Sequence, residues 1–382
     1  MDFGWSEEQL RRRDEVVEFA RTELADRDLA ALDRAGTFPR EDWERCARFG
    51  ILGLAIPGKY GGDDGDLLTA TLVMEGLGYG CLDVALPFAL STQLWTVQHP
   101  IAHFGTEEQK RRFLPGLCAG EIIGAHALTE PEAGSNAFGL AMRAEKRDGG
   151  YVLNGRKRLI TLGPVADVAL VFASTRPDAG KWGISAFLVE SDSDGYRASP
   201  AHDKMGMRTI PLGEILLEDC WVPESNRVGA EGAGVSISAH ALETERGFLF
   251  ASQLGSMERQ LEAAIEFAGS REQFGRPIGR FQSVSNRIAD MKIRLETARL
   301  LMYRVAWLKD TGRPAMLEAA MLKLYLSEAF VASGLDAVRI HGGTGYLSEA
   351  GIERDLRDAI GGVLYAGTSD IQRNIIAKLL GL

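Results

Sequence analysis

The periodicity of hydrophobic residues changes twice along the chain, and this change limits the folds that it can adopt. Apolar positions have helical spacing in residues 1–120, occur as short runs broken by Gly, Asp and Pro in residues 121–230, and return to helical spacing in residues 231–382. Helical stripes repeat every three or four residues, whereas strands alternate every second residue. The sequence therefore predicts an α+β protein with three domains in the order α, β, α.

Four apolar stripes at helical spacing follow residue 231. One of them keeps a strict 4-3-4-3 spacing and consists of Val284, Ile288, Met291, Leu295 and Ala298. The other three lie within residues 254–268, 321–338 and 371–380. Amphipathic helices of this length bury their apolar faces against one another. The sequence therefore predicts a C-terminal four-helix bundle.

The middle part contains short apolar or β-branched runs at 168–172, 184–189 and 214–217. Asn154-Gly155 follows another such run, and Asn-Gly between apolar segments is a strong hairpin signal. No helical pattern interrupts these runs. We therefore expect a small antiparallel barrel or sandwich.

Charge and composition argue against several classes of function. Lys and Arg number 43 against 53 Asp and Glu, which gives a net charge of −10, whereas nucleic-acid binders normally carry a basic surface. No apolar stretch reaches 18 residues and the chain does not start with a signal peptide, so we expect a cytoplasmic protein without a membrane partner. His99 and His103 are four residues apart, but no carboxylate completes a ligand set, so we expect no metal.

Glu245 stands out because its neighbours on one helical face are apolar. These neighbours are Ala241, Leu242, Phe248 and Leu249. A carboxylate on such a stripe is either paired with a distant arginine or held with a raised pKa as an acid or base. Glu243 points to another side and has Arg246 three residues later as a candidate partner. The residues alone leave both alternatives for Glu245 open.

Glycine is enriched, at 44 of 382 residues, and marks tight turns or close approaches of the backbone. Two clusters lie at 341–346 and 367–372, and a loop shaped by Gly and Pro at 128–136 carries small hydroxyl side chains. Gly342-Gly343-x-Gly345 is not the dinucleotide-binding fingerprint, because no strand precedes it. Taken singly, each of these segments is equally compatible with a plain turn or surface loop.

In combination and in this order, the motifs resemble those of the acyl-CoA dehydrogenase family. The matching segments are Thr129-Glu130-Pro131 with Gly134-Ser135, 204–208 leading to 218–223 and Asn226, 271–278 with Phe281-Gln282 and 289–291, Gly342-Gly343 with Gly345-Tyr346, and Gly367-Thr368-Ser369 with Ile371-Gln372. The resemblance covers nearly the whole chain. It implies an N-terminal helical domain, a middle antiparallel β-barrel and a C-terminal bundle, in agreement with the order of patterns above.

The resemblance also implies FAD, bound between the barrel and the bundle. Leu128, Thr129 and Thr161 would contact the isoalloxazine ring. Ser135 would lie where cofactor and acyl carrier meet, and Thr368 near the pyrophosphate or ribose. The residues implied to hold the FAD of a neighbouring subunit are Arg271, Phe274, Gln282, Gly342 and Gly343. A site completed across subunits implies a homo-oligomer, which we expect to be a tetramer or a dimer.

Ala366 occupies the position where many members of the family carry their catalytic Glu, and an alanine cannot take a proton. The branched-chain and long-chain subgroups, exemplified by isovaleryl-CoA dehydrogenases, carry the base on a bundle helix just before an Arg. That position is Glu245, before Arg246. The resemblance therefore implies Glu245 as the base, Arg246 as a contact for the pantetheine or nucleotide arm, and the Ala366 main-chain N–H as a donor to the thioester oxygen.

The implied activity is α,β-desaturation of an acyl thioester of CoA or acyl carrier protein, with an electron-transfer flavoprotein as electron acceptor. Three departures from the family pattern are Leu159 in place of Trp, Arg339 in place of Gln, and Asn136 in place of Asp. Two alternatives remain: a flavin-dependent oxidase or monooxygenase with the same fold, against which Glu245 argues, and a non-catalytic subunit of a hetero-oligomer.

Overall fold

The computed structural model describes residues 4–25 and 27–382, and its N-terminal part is helical, as expected. The helices are α1 (Glu7–Glu23), α2 (Leu29–Ala35), α3 (Arg40–Phe49), α4 (Leu67–Gly80), α5 (Ala85–Gln93), α6 (His99–Phe104) and α7 (Glu107–Cys118). Ser6 starts α1 through a capping box, in which its hydroxyl accepts a hydrogen bond from the Gln9 main-chain N–H at 3.2 Å. A short π-helical segment, Leu94–Gln98, joins α5 to α6.

The middle part forms one eight-stranded sheet. The strands are β1 (Gly124–Ala127), β2 (Arg143–Arg147), β3 (Gly150–Thr161), β4 (Val168–Ser174), β5 (Ile184–Glu190), β6 (Tyr196–Ala198), β7 (Leu212–Pro223) and β8 (Arg227–Val228). Their order is β6-β7-β3-β2-β4-β5-β8, with β1 beside β4.

The expected antiparallel β-barrel is wrong, because this sheet is not closed. Its edge strands β6 and β8 have three and two residues, and no pairing joins them within the described residues. β1 and β4 are parallel, and a single parallel pair, Arg143 with Ser174, connects β2 to β4. Edges this short offer too few hydrogen bonds to close a barrel.

The expected hairpin turn at Asn154-Gly155 is also wrong. Both residues lie inside β3, and the tight turn between β2 and β3 is at Asp148-Gly149. The register of β3 with β7 shifts between Leu153 and Gly155, and a Cβ on Gly155 would lie 2.9 Å from the Met142 Cα atom. The glycine therefore serves a bulge and a close backbone approach, which give the same sequence signal as a turn.

The C-terminal part is helical. Its helices are α8 (Gly234–Phe248), α9 (Ala251–Ser270), α10 (Gln282–Asp310), α11 (Met316–His341), α12 (Ile352–Gly362) and α13 (Ser369–Leu379). The four predicted stripes are found in α9, α10, α11 and α13. The helix expected around Glu245 is α8, and the structure adds α12, so the described residues contain six α-helices here. A two-stranded hairpin of β9 (Glu272–Gln273) and β10 (Arg276–Pro277) separates α9 from α10.

Glycines bring the two helical parts into direct contact. A Cβ on Gly78 of α4 would lie 1.8 Å from the Ser252 carbonyl oxygen, and one on Gly255 of α9 would lie 2.0 Å from the Glu75 carbonyl oxygen. One hydrophobic core is shared by these helices and one face of the sheet, and the other face packs a second core. Across residues 4–25 and 27–382, no helix combines the length and apolarity needed to span a membrane.

Candidate active site

Glu245 lies half-buried on α8, with apolar side chains on its own face. Ala241 and Phe248, one turn before and after it, are fully buried. No described residue forms an ion pair or a side-chain hydrogen bond with Glu245, so the alternative of a distant arginine partner is wrong. Burial raises the pKa of Glu245 to about 7, against the opposing effect of the positive charges of Arg246 and Lys323. This carboxyl group can therefore exchange a proton near neutral pH.

Arg246 connects α8 to the segment that follows α12. Its Nε donates a hydrogen bond to the Ala366 carbonyl oxygen at 3.3 Å. Glu243 is paired instead with Lys309 of α10, whose Nζ lies 3.0 Å from its carboxylate. The pairing of Arg246 with Glu243 suggested by their spacing is therefore not formed. The bond from Arg246 brings the end of α8 next to Ala366.

Ala366 is buried and has a φ of 56°, a left-handed conformation that costs a non-glycine residue about 1 kcal/mol. Its carbonyl accepts hydrogen bonds from Arg246 and from Gln372 Nε2 at 2.9 Å. Its main-chain N–H has no acceptor in the described part of the chain. Thr368, two residues later, caps α13 by accepting a hydrogen bond from the Ile371 N–H at 3.2 Å. A buried, unpaired N–H is thus available beside α8.

A buried ion pair attaches the loop after β1 to strand β3. Lys157 Nζ lies 2.8 Å from Glu130 Oε1 and donates to the Leu128 carbonyl oxygen at 3.0 Å. The Glu130 carboxylate also accepts from the main-chain N–H groups of Ala141 and Met142. Both charged side chains are buried. The loop that carries Leu128 and Thr129 is therefore rigidly attached to the sheet.

A cavity of about 290 Å³ opens between the end of β3 and α12. Its lining is mostly apolar and includes Ile210 and Leu364, while Thr161 contributes a hydroxyl at the end of β3. Asp358 of α12 also borders it and accepts a hydrogen bond from the Met207 main chain. Burial raises the pKa of Asp358 to about 8, so this carboxyl is mostly protonated at neutral pH.

A second group of predicted residues lies apart from this cleft, at the end of the C-terminal helices. These exposed residues are Arg271, Phe274, Gln282, Gly342 and Gly343. The rings of Phe267 and His341 are in contact, with centroids 4.5 Å apart, and so join the end of α9 to the end of α11. Phe274 is 92% exposed. The chain by itself therefore leaves these residues on its surface.

The remaining positions singled out from the sequence are at the surface. Ser135 and Asn136 are exposed in the loop after Thr129. Leu159, in place of the family's Trp, is 53% exposed and has a φ of 57°. Arg339 is exposed and lies 3.6 Å from Asp336.

His99, His103 and His240 form a stack rather than a set of metal ligands. The ring centroids are 5.4 Å apart for His99 and His240 and 4.4 Å apart for His103 and His240. Nearly parallel rings do not direct three nitrogen atoms at one point. In the part of the chain that the structure describes, no group of three or more His, Cys, Asp or Glu side chains is arranged to hold a metal ion.

Comparison with known proteins identifies the family. Models of the N-terminal, middle and C-terminal domains of acyl-CoA dehydrogenases match residues 6–121, 125–220 and 232–381. The chain belongs to the acyl-CoA dehydrogenase family.

Its relatives within the acyl-CoA dehydrogenases include enzymes that act on carrier proteins. An L-prolyl-peptidyl-carrier protein dehydrogenase of Pseudomonas fluorescens is 44% identical over 100% of both chains. The crystal structure of the prolyl acyl carrier protein oxidase AnaB superposes with a TM-score of 0.98, at 46% identity over 99% of this chain and 100% of that one. The FAD complex of PigA has a TM-score of 0.97, at 40% identity over 100% of both chains.

This acyl-CoA dehydrogenase is therefore an FAD-dependent oxidoreductase, and the described residues fit the cofactor. The cavity bounded by Thr161 and Leu364 offers apolar walls to a flat ring. Two buried polar atoms at the start of α13, Ser369 Oγ and Gln372 Oε1, have no hydrogen-bond partner within the described chain. They lie beside Thr368, at a helix N-terminus, which suits a phosphate group.

Two buried lysines, Lys157 and Lys323, were not predicted from the sequence. Lys157 lies in the strongly charged run Arg156-Lys157-Arg158, which looks solvent-exposed. Lys323, however, lies among apolar residues of α11, with Ala319 one turn before it. Like Glu245, Lys323 could therefore have been selected as a charged residue on an apolar helix face.

Proposed function

We propose that this enzyme dehydrogenates an acyl thioester with Glu245 as the general base that removes the Cα proton. The supporting observation is an unpaired carboxyl group with a pKa raised to about 7, on the helix that Arg246 joins to the Ala366 carbonyl. A base of this pKa is matched to working at neutral pH. In this proposal, Glu245 on α8 takes over the role of the catalytic Glu that many members of the family carry at the position of Ala366.

The proposed division of labour uses three groups. Glu245 takes the Cα proton, and the unpaired N–H of Ala366 donates a hydrogen bond to the thioester oxygen, where negative charge develops. FAD, when bound, supplies the acceptor for the hydride that leaves Cβ. The substrate thus loses one proton and one hydride and gains a carbon–carbon double bond. Arg246 remains a proposed contact for the pantetheine or nucleotide arm.

We further propose that the acyl group is an L-prolyl group on a carrier protein, as the names of the relatives state for those proteins. Two pairs of aromatic side chains include residues next in sequence to Ala366 and one turn after Glu245. Trp95 and Phe248 lie 5.1 Å apart between ring centroids, and Phe88 and Tyr365 lie 4.6 Å apart. Walls packed in this way favour a compact acyl group over a long flexible chain.

For the cofactor, we propose that Leu128, Thr129, Ser135, Thr161 and Thr368 bind the FAD of their own subunit. The exposed group at the end of the C-terminal helices would bind the FAD of a neighbouring subunit in a homotetramer. A 92% exposed Phe274 beside an exposed Arg271 supports this, because a lone chain gains nothing from exposing that ring. The cytoplasmic location stays a prediction.

The electron acceptor has two candidates. An electron-transfer flavoprotein is the acceptor implied by the family resemblance. Molecular oxygen is favoured by the name of AnaB, which is described as an oxidase. Oxygen consumption with an L-prolyl thioester in the absence of any other acceptor would identify the second.

The test of the function is anaerobic bleaching of the flavin by a panel of thioesters. The panel contains L-prolyl-pantetheine, L-prolyl carrier protein and isovaleryl-CoA. We expect rapid bleaching by the prolyl thioesters and a loss of about 10²–10⁴-fold in the bleaching rate of Glu245→Gln. Glu243→Gln is the matched control on the same helix, since Glu243 is paired with Lys309. Wild-type rates in Glu245→Gln would show that the base assignment is wrong.

A further inference from the structure

Lys323, on α11, is completely buried, and its ammonium group has no hydrogen-bond partner in the described residues. Lysine is almost never fully buried unless it is paired, because removing its charge from water is costly. Its Nζ lies over the ring of Phe250, 6.0 Å from the ring centroid. Such a side chain requires an electrostatic reason to stay in the protein interior.

The surroundings of Lys323 connect it to the proposed base. Phe250 lies between α8 and α9 and stacks on Tyr365 at 5.4 Å. A Cβ on Gly362 would lie 3.4 Å both from Phe250 and from Ser327, one turn after Lys323. The absence of a side chain at Gly362 therefore lets α11, α12 and the α8–α9 junction meet. Lys323 faces the junction that follows Glu245 by only a few residues.

Four ionisable groups other than Lys323 lie at this junction. Three of them act electrostatically on Lys323, and the fourth interacts with Glu245. They are Glu245 and Arg246 of α8, Glu328 of α11, and the Tyr365 phenol after α12. Burial lowers the pKa of Lys323 to about 8, while the charge of Glu245 acts to raise it. Arg246 is already committed to the Ala366 carbonyl. Lys323 is the cation left without a hydrogen-bond partner.

We propose that Lys323 is a positioning residue, whose buried ammonium group is the counter-charge that keeps the Glu245 carboxylate ionised before it takes the substrate proton. This inference rests on the proposed role of Glu245 as the base. Because no hydrogen bond joins the two groups, the carboxylate keeps its lone pairs for the Cα proton while it still feels the positive charge. A direct ion pair would stabilise the ionised form more strongly, but it would occupy a lone pair that the base needs for the proton.

The consequence is a change in pH dependence. An opposite charge near a carboxyl group lowers its pKa, so removing the Lys323 charge raises the pKa of Glu245 by about one unit or more. The base works only when ionised. A one-unit increase therefore reduces the ionised fraction about tenfold at pH values below both pKa values, and leaves the rate at high pH unchanged.

The experiment measures the anaerobic bleaching rate of the FAD-loaded full-length protein by L-prolyl-pantetheine from pH 5.5 to 9.5. The variants are Lys323→Met and Lys323→Gln, which remove the charge in apolar and polar form, and Lys323→Arg, which keeps it. Lys378→Met, at an exposed lysine on α13, is the matched control. We expect the kinetic pKa to rise by about one unit in the two neutral variants, and to stay near the wild-type value in the other two.

Several results would overturn the inference. One is a pH profile of the neutral variants that superimposes on the wild type, and another is a uniform loss of rate at every pH. The second would indicate a role in packing alone, which thermal unfolding and FAD content would register as well. A failure of the proposed function would be distinguishable from these results. In that case the Glu245→Gln variant, with Lys323 intact, would bleach its flavin at the wild-type rate.

Discussion

The buried pair of Lys157 and Glu130 allows a sharp test of how the loop after β1, which we propose contacts the flavin, is held in place. Replacement of Lys157 by Met removes the ammonium group that contacts Glu130 at 2.8 Å and the Leu128 carbonyl at 3.0 Å. It leaves the Glu130 carboxylate buried with only two main-chain donors, from Ala141 and Met142. Breaking one side of a buried ion pair costs about 3–5 kcal/mol.

The reverse replacement is expected to cost less. Burial lowers the pKa of Lys157 to about 8, so with Glu130→Gln the amine can lose its proton at small cost near neutral pH. The double variant Lys157→Met with Glu130→Gln leaves no buried charge and keeps an acceptor for the two N–H groups. We therefore expect it to be more stable than Lys157→Met alone.

Thermal unfolding of the FAD-loaded protein at a fixed scan rate is the assay. We expect Lys157→Met to lower the midpoint by about 5–10 °C and to release FAD more readily, because Leu128 and Thr129 lose their support. Arg156→Met on the same strand is the control, since Arg156 is half-exposed and its buried partner Glu214 keeps Arg158 at 3.5 Å, so we expect a loss of only about 1 kcal/mol. The reasoning is refuted if Lys157→Met melts like Arg156→Met, or if the double variant is the least stable.

Two further predictions concern Asp358 in the cleft and Arg271 in the exposed group at the end of the C-terminal helices. The pKa of Asp358 is raised by burial to about 8, so the folded protein holds a proton there that the unfolded chain releases above about pH 4, and stability falls as pH rises between these values. The thermal unfolding midpoint should therefore fall by several degrees more between pH 5 and pH 8 in the wild type than in Asp358→Asn. The same dependence of the midpoint on pH in both proteins would contradict this. Arg271→Ala should weaken FAD binding about tenfold or more, measured by fluorescence of released flavin, because a charged hydrogen bond to phosphate is lost. Arg373→Ala, at an exposed arginine of α13, is its control, and equal FAD retention in both would count against a phosphate contact at Arg271.

The sequence revealed the helices better than the sheet, for a physical reason. The stripe from Val284 to Ala298 reports a periodicity within one helix, α10, which needs no knowledge of the rest of the chain. Whether β6 meets β8 depends on residues far apart in sequence and on strand lengths that local patterns do not determine. Gly155 illustrates the limit, because a bulge inside β3 and a hairpin turn place the same demand on the backbone.

The site shows the same division. Glu245 could be selected because its neighbours on one helix face are apolar, and that is a local property. Lys157 could not, since its partner Glu130 is 27 residues away and its sequence neighbours are charged. The exposed Arg271 and Phe274 became candidates through resemblance alone. A single chain gains no stability from exposing the Phe274 ring to solvent.

The proposed position of the base on α8 is compatible with the geometry around Ala366. The backbone there is left-handed, with its carbonyl held by Arg246 and Gln372 and its N–H unpaired. That arrangement needs no side chain at position 366, so the amide remains usable when the carboxylate is moved elsewhere. Arg246 directly follows Glu245 in the sequence and donates a hydrogen bond to Ala366. A base on this turn of α8 is therefore tied to the proposed oxyanion donor by a single hydrogen bond, and the two can stay aligned although they come from different helices.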